Sequence, residues 1–199
     1  MIACVHYALI TTSMTIGASA RDFLYHIVPT GLSGDLLYPL NRLAKVYPEI
    51  AALEKKKYEG RELLMEKTLP ILNCRWNDVL HLSPLHPTKT KRALAEVGLR
   101  RADPTPLKFF VVPPHSLEGV QAVYFKHSKD ARGSYDFLES DFTILDLARY
   151  RELPEIPEEQ RLYFLKMKEE GNKPLLWART PHVLFHGEIR VAGLEIIEW

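Results

Sequence analysis

Apolar positions along this chain change their spacing several times, and each change marks an element. Alternating apolar residues place side chains on opposite faces of a strand, whereas recurrence every three or four lines one face of a helix. Phe23 to Val28 is a short aromatic and β-branched run halted by Pro29, and it predicts a first strand. Thr30 to Asp35 holds two glycines and predicts a loop. A helical pattern opens near Asn41, a residue type suited to an N-cap, with Leu43, Val46, Tyr47, Ile50 and Leu53 at helical spacing. Pro48 falls inside that pattern and demands a break or kink. Lys55, Lys56 and Lys57 predict a solvated helix face, and a further helix from Arg61 to Lys67 ends before Pro70.

Trp76 to Ser83 predicts a strand with Val79, His81 and Ser83 on the face opposite Leu80 and Leu82. Thr88 to Val97 predicts a helix, with Pro87 at its first turn and Gly98 beyond its end. Two clear strands, Leu107 to Val112 and Val120 to Phe125, flank Pro113 and Pro114, and His127 to Tyr135 reads as an exposed loop. Phe142 to Leu147 fits a strand or a helix start equally well. Glu158 to Glu170 carries the strongest helix pattern, with acidic residues in its first turn, an inner stripe of Leu162, Tyr163, Leu165 and Lys166, and Gly171 at its end. Leu175 to Ala178 predicts a strand, followed by the strands of the closing stretch from His182 to Trp199. Strands and helices mix without βαβ regularity, so the expected class is α+β, a mixed and largely antiparallel sheet of split-barrel type with flanking helices.

Composition narrows the function classes. At 199 residues, 46% hydrophobic and 26% charged, the chain has the balance of an ordinary globular protein able to bury a core without staples. A net charge of +1 supplies no global field toward nucleic acid or anionic lipid. Cys4 and Cys74 alone make neither a disulfide framework nor a zinc knuckle, which points to reduced thiols and a cytoplasmic setting. No apolar run reaches the roughly 18 residues of a membrane span. Residues 1–22 are expected to form a loosely attached leader, or an extension ahead of a start at Met14, and residues 23–199 a single α+β domain.

The chemistry concentrates in the closing stretch. Read with period two, Val183, Phe185, Ile189 and Val191 share one face, and His182, His186, Glu188 and Arg190 the other. That polar face is either solvated or lines a site. As a metal site it is strained, because residues four apart on a strand are roughly 13 Å apart; His81 and His86 would have to contribute across strands. The chain has no P-loop, dinucleotide-binding glycine fingerprint or nucleophile elbow. Cys74 has Arg75 beside it, which favours a thiolate, although a buried core cysteine is the plain alternative.

One further pattern pairs an early histidine with a late glutamate. Tyr25-His-Ile-Val-Pro29 ends the first strand, and Glu188 opens Gly-Glu-Ile-Arg-Val-Ala-Gly-Leu-Glu-Ile-Ile. In this the chain resembles the ADP-ribosyltransferase superfamily, nearest the nucleic-acid-modifying toxins of the DarT type. The resemblance implies NAD as substrate, no metal, a nucleic-acid or protein acceptor and a possible cognate inhibitor. It implies Glu188 as the catalytic glutamate and His26 as the histidine that contacts the NAD ribose. Val79-Leu-His-Leu-Ser-Pro-Leu-His86 is similar to a family strand that runs into a turn, placing His81 and His86 toward the dinucleotide. The arginine expected in that turn is absent, so His86 or Arg75 would stand in its place. Tyr38 or Trp76 would stack on nicotinamide, a core aromatic being the alternative for each. Cleavage of the nicotinamide–ribose bond passes through an oxocarbenium-like state, which a carboxylate stabilises. A His26 that must stay neutral predicts activity falling below about pH 6. Two other classes stay open: a non-catalytic α+β interaction domain with a wet polar face, and a His/Glu metal enzyme.

Overall fold

The computed structural model describes residues 22–100, 105–126 and 137–199. The expected leader up to residue 21 and the loop expected over residues 127–135 lie outside the described residues. In chain order the strands and helices are β1 (Leu24–Ile27), β2 (Leu36–Leu37), α1 (Leu40–Val46), α2 (Pro48–Lys55), α3 (Glu62–Met65), β3 (Thr68–Leu69), β4 (Cys74–Arg75) and β5 (Leu80–Leu82). There follow α4 (Pro87–Glu96), β6 (Lys108–Val112), β7 (Ala122–Phe125), β8 (Phe142–Ile144), α5 (Glu158–Glu169), β9 (His182–Phe185), β10 (Ile189–Arg190) and β11 (Ile196–Glu198).

Every ladder among the described residues is antiparallel, as expected. One sheet runs β1-β6-β11 and a second β5-β9-β7-β8, with β2–β10 and β3–β4 as separate pairs. The two larger sheets meet at one bridge: Tyr25 N–H donates to Ser83 O at 2.9 Å and Ser83 N–H to Tyr25 O at 2.8 Å. Among the described residues they do not close into a barrel.

β9 holds the second sheet together, because it is an interior strand covered on both faces. Val183 and Phe185 pack with Leu24, Leu80, Leu82, Phe110 and Val112 in one cluster. Leu184 points the other way, into a cluster with Trp76, Val79, Val123 and Phe125. His182 is 7% exposed, so the polar face expected of this strand is buried at its start. The closing stretch is not one strand. It bends at His186 and Gly187, then pairs Ile189 with Leu37 and Arg190 with Leu36. Alternation reports which residues share a face but not whether a second layer covers it.

The breaks in the helices follow the prolines. α1 gives way at Tyr47, and Pro48 begins α2 at a position where its missing N–H is no loss. Asn41 is not the cap; Pro39 takes that place, and Asn41 lies inside α1 and donates to Asp78 Oδ1 at 2.7 Å. Leu43 and Ala51 are buried, while Val46 and Leu53 face outward. α4 starts with Pro87 and stops where Gly98 takes φ +73°, the expected asymmetry.

Two expectations fail in the C-terminal half. α5 turns Gln160 and Phe164 inward and leaves Leu162 56% and Leu165 39% exposed. Four consecutive apolar residues, Leu162 to Leu165, cover a whole helical turn, so packing rather than periodicity selects the buried side. Leu175 to Ala178 is a turn, with Ala178 N–H donating to Leu175 O and Thr180 N–H to Trp177 O. Arg179 takes φ +63°, which extended backbone does not allow, and Gln160 Nε2 donates to Leu176 O at 2.6 Å and ties the turn to α5. Trp76 to Asp78 is a 3-10 turn rather than the start of a strand, because Asp78 Oδ2 accepts from Arg75 N–H at 2.9 Å.

Candidate functional site around Glu188

Glu188 stands on the bend between the buried strand β9 and the short strand β10. The neighbour that permits the bend is Gly187. A Cβ there would lie 2.6 Å from Phe185 Cζ, 2.7 Å from Cε1 and 3.2 Å from Val120 Cγ1. Phe185 is 1% exposed and part of the core, so its ring forms the floor beneath the bend. The glutamate side chain projects into a hollow of about 290 Å³ lined by Pro39, Asn41, Arg42, Lys45, Asp78, His186, Gly187 and Glu188.

The charges around this hollow are unequally engaged. Asp78 has one oxygen on Asn41 Nδ2 and the other on Arg75 N–H. Arg42 Nε reaches Glu188 Oε1 at 3.2 Å, with the two side chains 58% and 36% exposed. Pairs so open to solvent contribute little to stability and exchange readily. Lys45 lies three residues beyond Arg42 on α1, hence on the same helix face. The arrangement offers an accessible carboxylate that accepts from hydroxyls, beside two cations that donate to anions.

The other expected site residues lie elsewhere. His26, Tyr38, Trp76, His81 and His86 are not among the residues lining this hollow. Trp76 is 8% exposed; it stacks on Phe137 with centroids 5.3 Å apart and donates from Nε1 to Tyr58 OH at 3.2 Å. That is a core aromatic. His81 packs against Trp76 at 4.4 Å, and its Nε2 lies 3.0 Å from Trp76 O. Its ring is also 6.1 Å from that of His182, so Trp76, His81 and His182 form one cluster. Tyr38 packs against Tyr47 at 6.3 Å. His86 is the N-cap of α4, accepting from Thr88 N–H through Nδ1, with its ring edge-on to Tyr25 at 5.0 Å.

Burial keeps the central imidazoles uncharged. Desolvation lowers His26 to about 3, with Lys57 and His81 adding to the effect against the opposing bond to Ile27 O. Desolvation lowers His81 to about 4, although its bond to Trp76 O acts the other way. His86 is lowered too, chiefly by desolvation. His26 therefore stays neutral well below pH 6, and its titration is not the source of the expected loss of activity there. Cys74 is half-buried, and desolvation, helped by Asp78, pushes its thiol up to about 11. It is no thiolate at neutral pH, and Arg75 bonds Glu66 at 3.2 Å instead.

Arg42, Lys45 and Asp78 were not singled out in the sequence, and Asn41 only as a helix cap, although the three-residue spacing of Arg42 and Lys45 in a helical pattern marks a shared cationic face. A larger hollow of about 530 Å³ lies between Phe23, Pro113, Pro114, Leu147 and Tyr150, and none of the expected site residues lines it. Among the described residues no group of three His, Cys, Asp or Glu side chains is placed to hold a metal ion, and no helix is long and apolar enough to cross a membrane. No family model, curated protein or solved structure matches this chain. Fold and site together define an α+β protein of two antiparallel sheets with an accessible glutamate on a bend beside a cationic helix face.

Proposed function

We propose that the chain is an ADP-ribosyltransferase-like enzyme that cleaves the nicotinamide–ribose bond of NAD and transfers ADP-ribose to a nucleic-acid or protein acceptor. The observation that carries this reading is the accessible carboxylate of Glu188, held on a bend over the ring of Phe185 and open to a hollow. In the proposed reaction Glu188 accepts a hydrogen bond from a ribose hydroxyl and stabilises the positive charge that develops as the C–N bond breaks. Nicotinamide departs as a neutral molecule, the acceptor's nucleophile forms the new bond to the ribose carbon, and the acceptor's proton passes to water.

A competing reading, a non-catalytic interaction domain, draws support from the Arg42–Glu188 pair, which gives the carboxylate a structural partner. The test is incubation of the full chain with labelled NAD and a pool of nucleic acid or protein. Wild type should release nicotinamide or transfer label, and Glu188→Ala should lose roughly two to three orders of magnitude, the size typical of removing a group that stabilises developing charge. Absence of both NAD hydrolysis and label transfer by wild type overturns the proposal and favours the interaction domain.

A further inference from the structure

We infer that Arg42 and Lys45 form a diphosphate-binding subsite, and that the Arg42–Glu188 pair is a latch which a bound diphosphate opens. This inference rests on the reading of Glu188 as the catalytic carboxylate, and it assigns to the same hollow the part of the substrate that the glutamate cannot hold. Both cations line the hollow from one face of α1. Lys45 makes no ion pair among the described residues, and Arg42 commits only Nε, to a single carboxylate oxygen. The terminal nitrogens of the guanidinium, a planar fork suited to phosphate, are left for a ligand. Asp78 is held by Asn41 and the Arg75 N–H, one bond to each oxygen, and among the described residues it forms no ion pair with Arg42 or Lys45. The competitor is Glu188.

Size supports the same division. A hollow of about 290 Å³ falls at or just under the lower end of the range that encloses small organic ligands, roughly 300–1,000 Å³. It suits a ribose diphosphate fragment and leaves the bases of a dinucleotide outside. A diphosphate carries more charge than a carboxylate and accepts several hydrogen bonds at once, so it draws Arg42 from Glu188. The glutamate is then released for the ribose only when the anionic part of the substrate is seated.

The experiment titrates the full chain with inorganic pyrophosphate by calorimetry, comparing wild type with Arg42→Gln, Lys45→Gln and Glu188→Gln. Circular dichroism of each exposed-site variant checks the fold. Arg42→Gln should weaken binding by about tenfold or more and Lys45→Gln by several-fold, the usual size of a lost charge-assisted hydrogen bond. Glu188→Gln should tighten it, because the internal competitor is gone. Unchanged binding in Arg42→Gln and Lys45→Gln, weaker binding in Glu188→Gln, or a wild type that takes up a single-stranded oligonucleotide but not pyrophosphate overturns the inference. Failure of the transferase reading is separate. Pyrophosphate binding through Arg42 and Lys45 with no NAD cleavage leaves the subsite standing and removes the enzyme. NAD cleavage that needs Glu188 but shows an unchanged KM in Arg42→Gln does the reverse.

Discussion

Gly187→Ala tests how the site is built, because it adds one methyl group where the bend touches the core. The new Cβ would sit 2.6 Å and 2.7 Å from two carbons of the Phe185 ring. Nothing in the backbone opposes alanine, since Gly187 lies outside the left-handed region. On backbone grounds alone the substitution would stabilise by about 0.4–1 kcal/mol through the unfolded chain. The ring, however, is fully buried among Leu24, Leu80, Leu82 and Val183, and close-packed cores resist movement. Overpacking of this kind costs about 1–3 kcal/mol, so the net change should be a loss of roughly 1–2 kcal/mol. The decisive measurement is a double-mutant cycle with Phe185→Leu, read by denaturant unfolding. Leucine does not reach the outer ring positions, so Gly187→Ala in that background should be neutral or mildly stabilising, leaving only the 3.2 Å approach to the half-exposed Val120. The coupling should therefore come to roughly 1–2 kcal/mol. Additive costs within about 0.3 kcal/mol would refute the claim that the ring supports the bend.

Two further outcomes follow from burial. His26 and His81 have folded values lowered to about 3 and about 4, below their unfolded value near 6.5, so the unfolded chain binds more protons as pH falls. Their contribution is fully present above pH 6.5 and is lost as pH falls from there through 4 and then 3. Near pH 5 each imidazole should add about 1.4 kcal/mol per pH unit to the slope of stability, and His81→Gln should remove one such increment; an unchanged slope would contradict the neutral buried state. On α5, Phe164→Ala should cost about 3–5 kcal/mol and Leu162→Ala at most about 0.5 kcal/mol by chemical unfolding. The reverse order would mean that the helix presents its other side to the core.

The elements legible in the sequence were those with a local cause. β1 and β6 announce themselves as apolar runs cut off by proline and β7 as one that follows Gly119, and the ends of α4 follow from Pro87 and Gly98, whose backbone preferences act within the element. The break between α1 and α2 follows from Pro48 in the same way. The phase of α5 was not legible, because Leu162, Tyr163, Phe164 and Leu165 offer the core an apolar group on every side. The cluster that Leu85, Ala93, Leu94, Val97 and Ile156 form with Phe164 decides the matter. The strand expected at Leu175 to Ala178 fails for a reason equally invisible locally, a left-handed Arg179 and a side-chain bond arriving from Gln160.

The candidate site divides along the same line. Period two groups His182, His186, Glu188 and Arg190 as one polar face, but a strand keeps its alternation only while it remains a strand. β9 ends at Phe185. Before that point His182 is drawn into the core beside His81 and Trp177; after it, His186, Glu188 and Arg190 are exposed. The residue that separates the two regimes is Gly187, where a side chain would collide with Phe185. What the periodicity could not contain is the opposite wall, because Arg42, Lys45 and Asp78 line the hollow beside Glu188 from segments more than a hundred residues away. A carboxylate on a bend becomes a site only when another element brings charge to face it, and here that element is α1, set in place by Leu43 in the core and by the bond from Asn41 to Asp78. Cutting that bond with Asn41→Ala should loosen α1 against the bend and weaken pyrophosphate binding even though Arg42 and Lys45 are untouched. Binding equal to wild type would show that α1 needs no such tether.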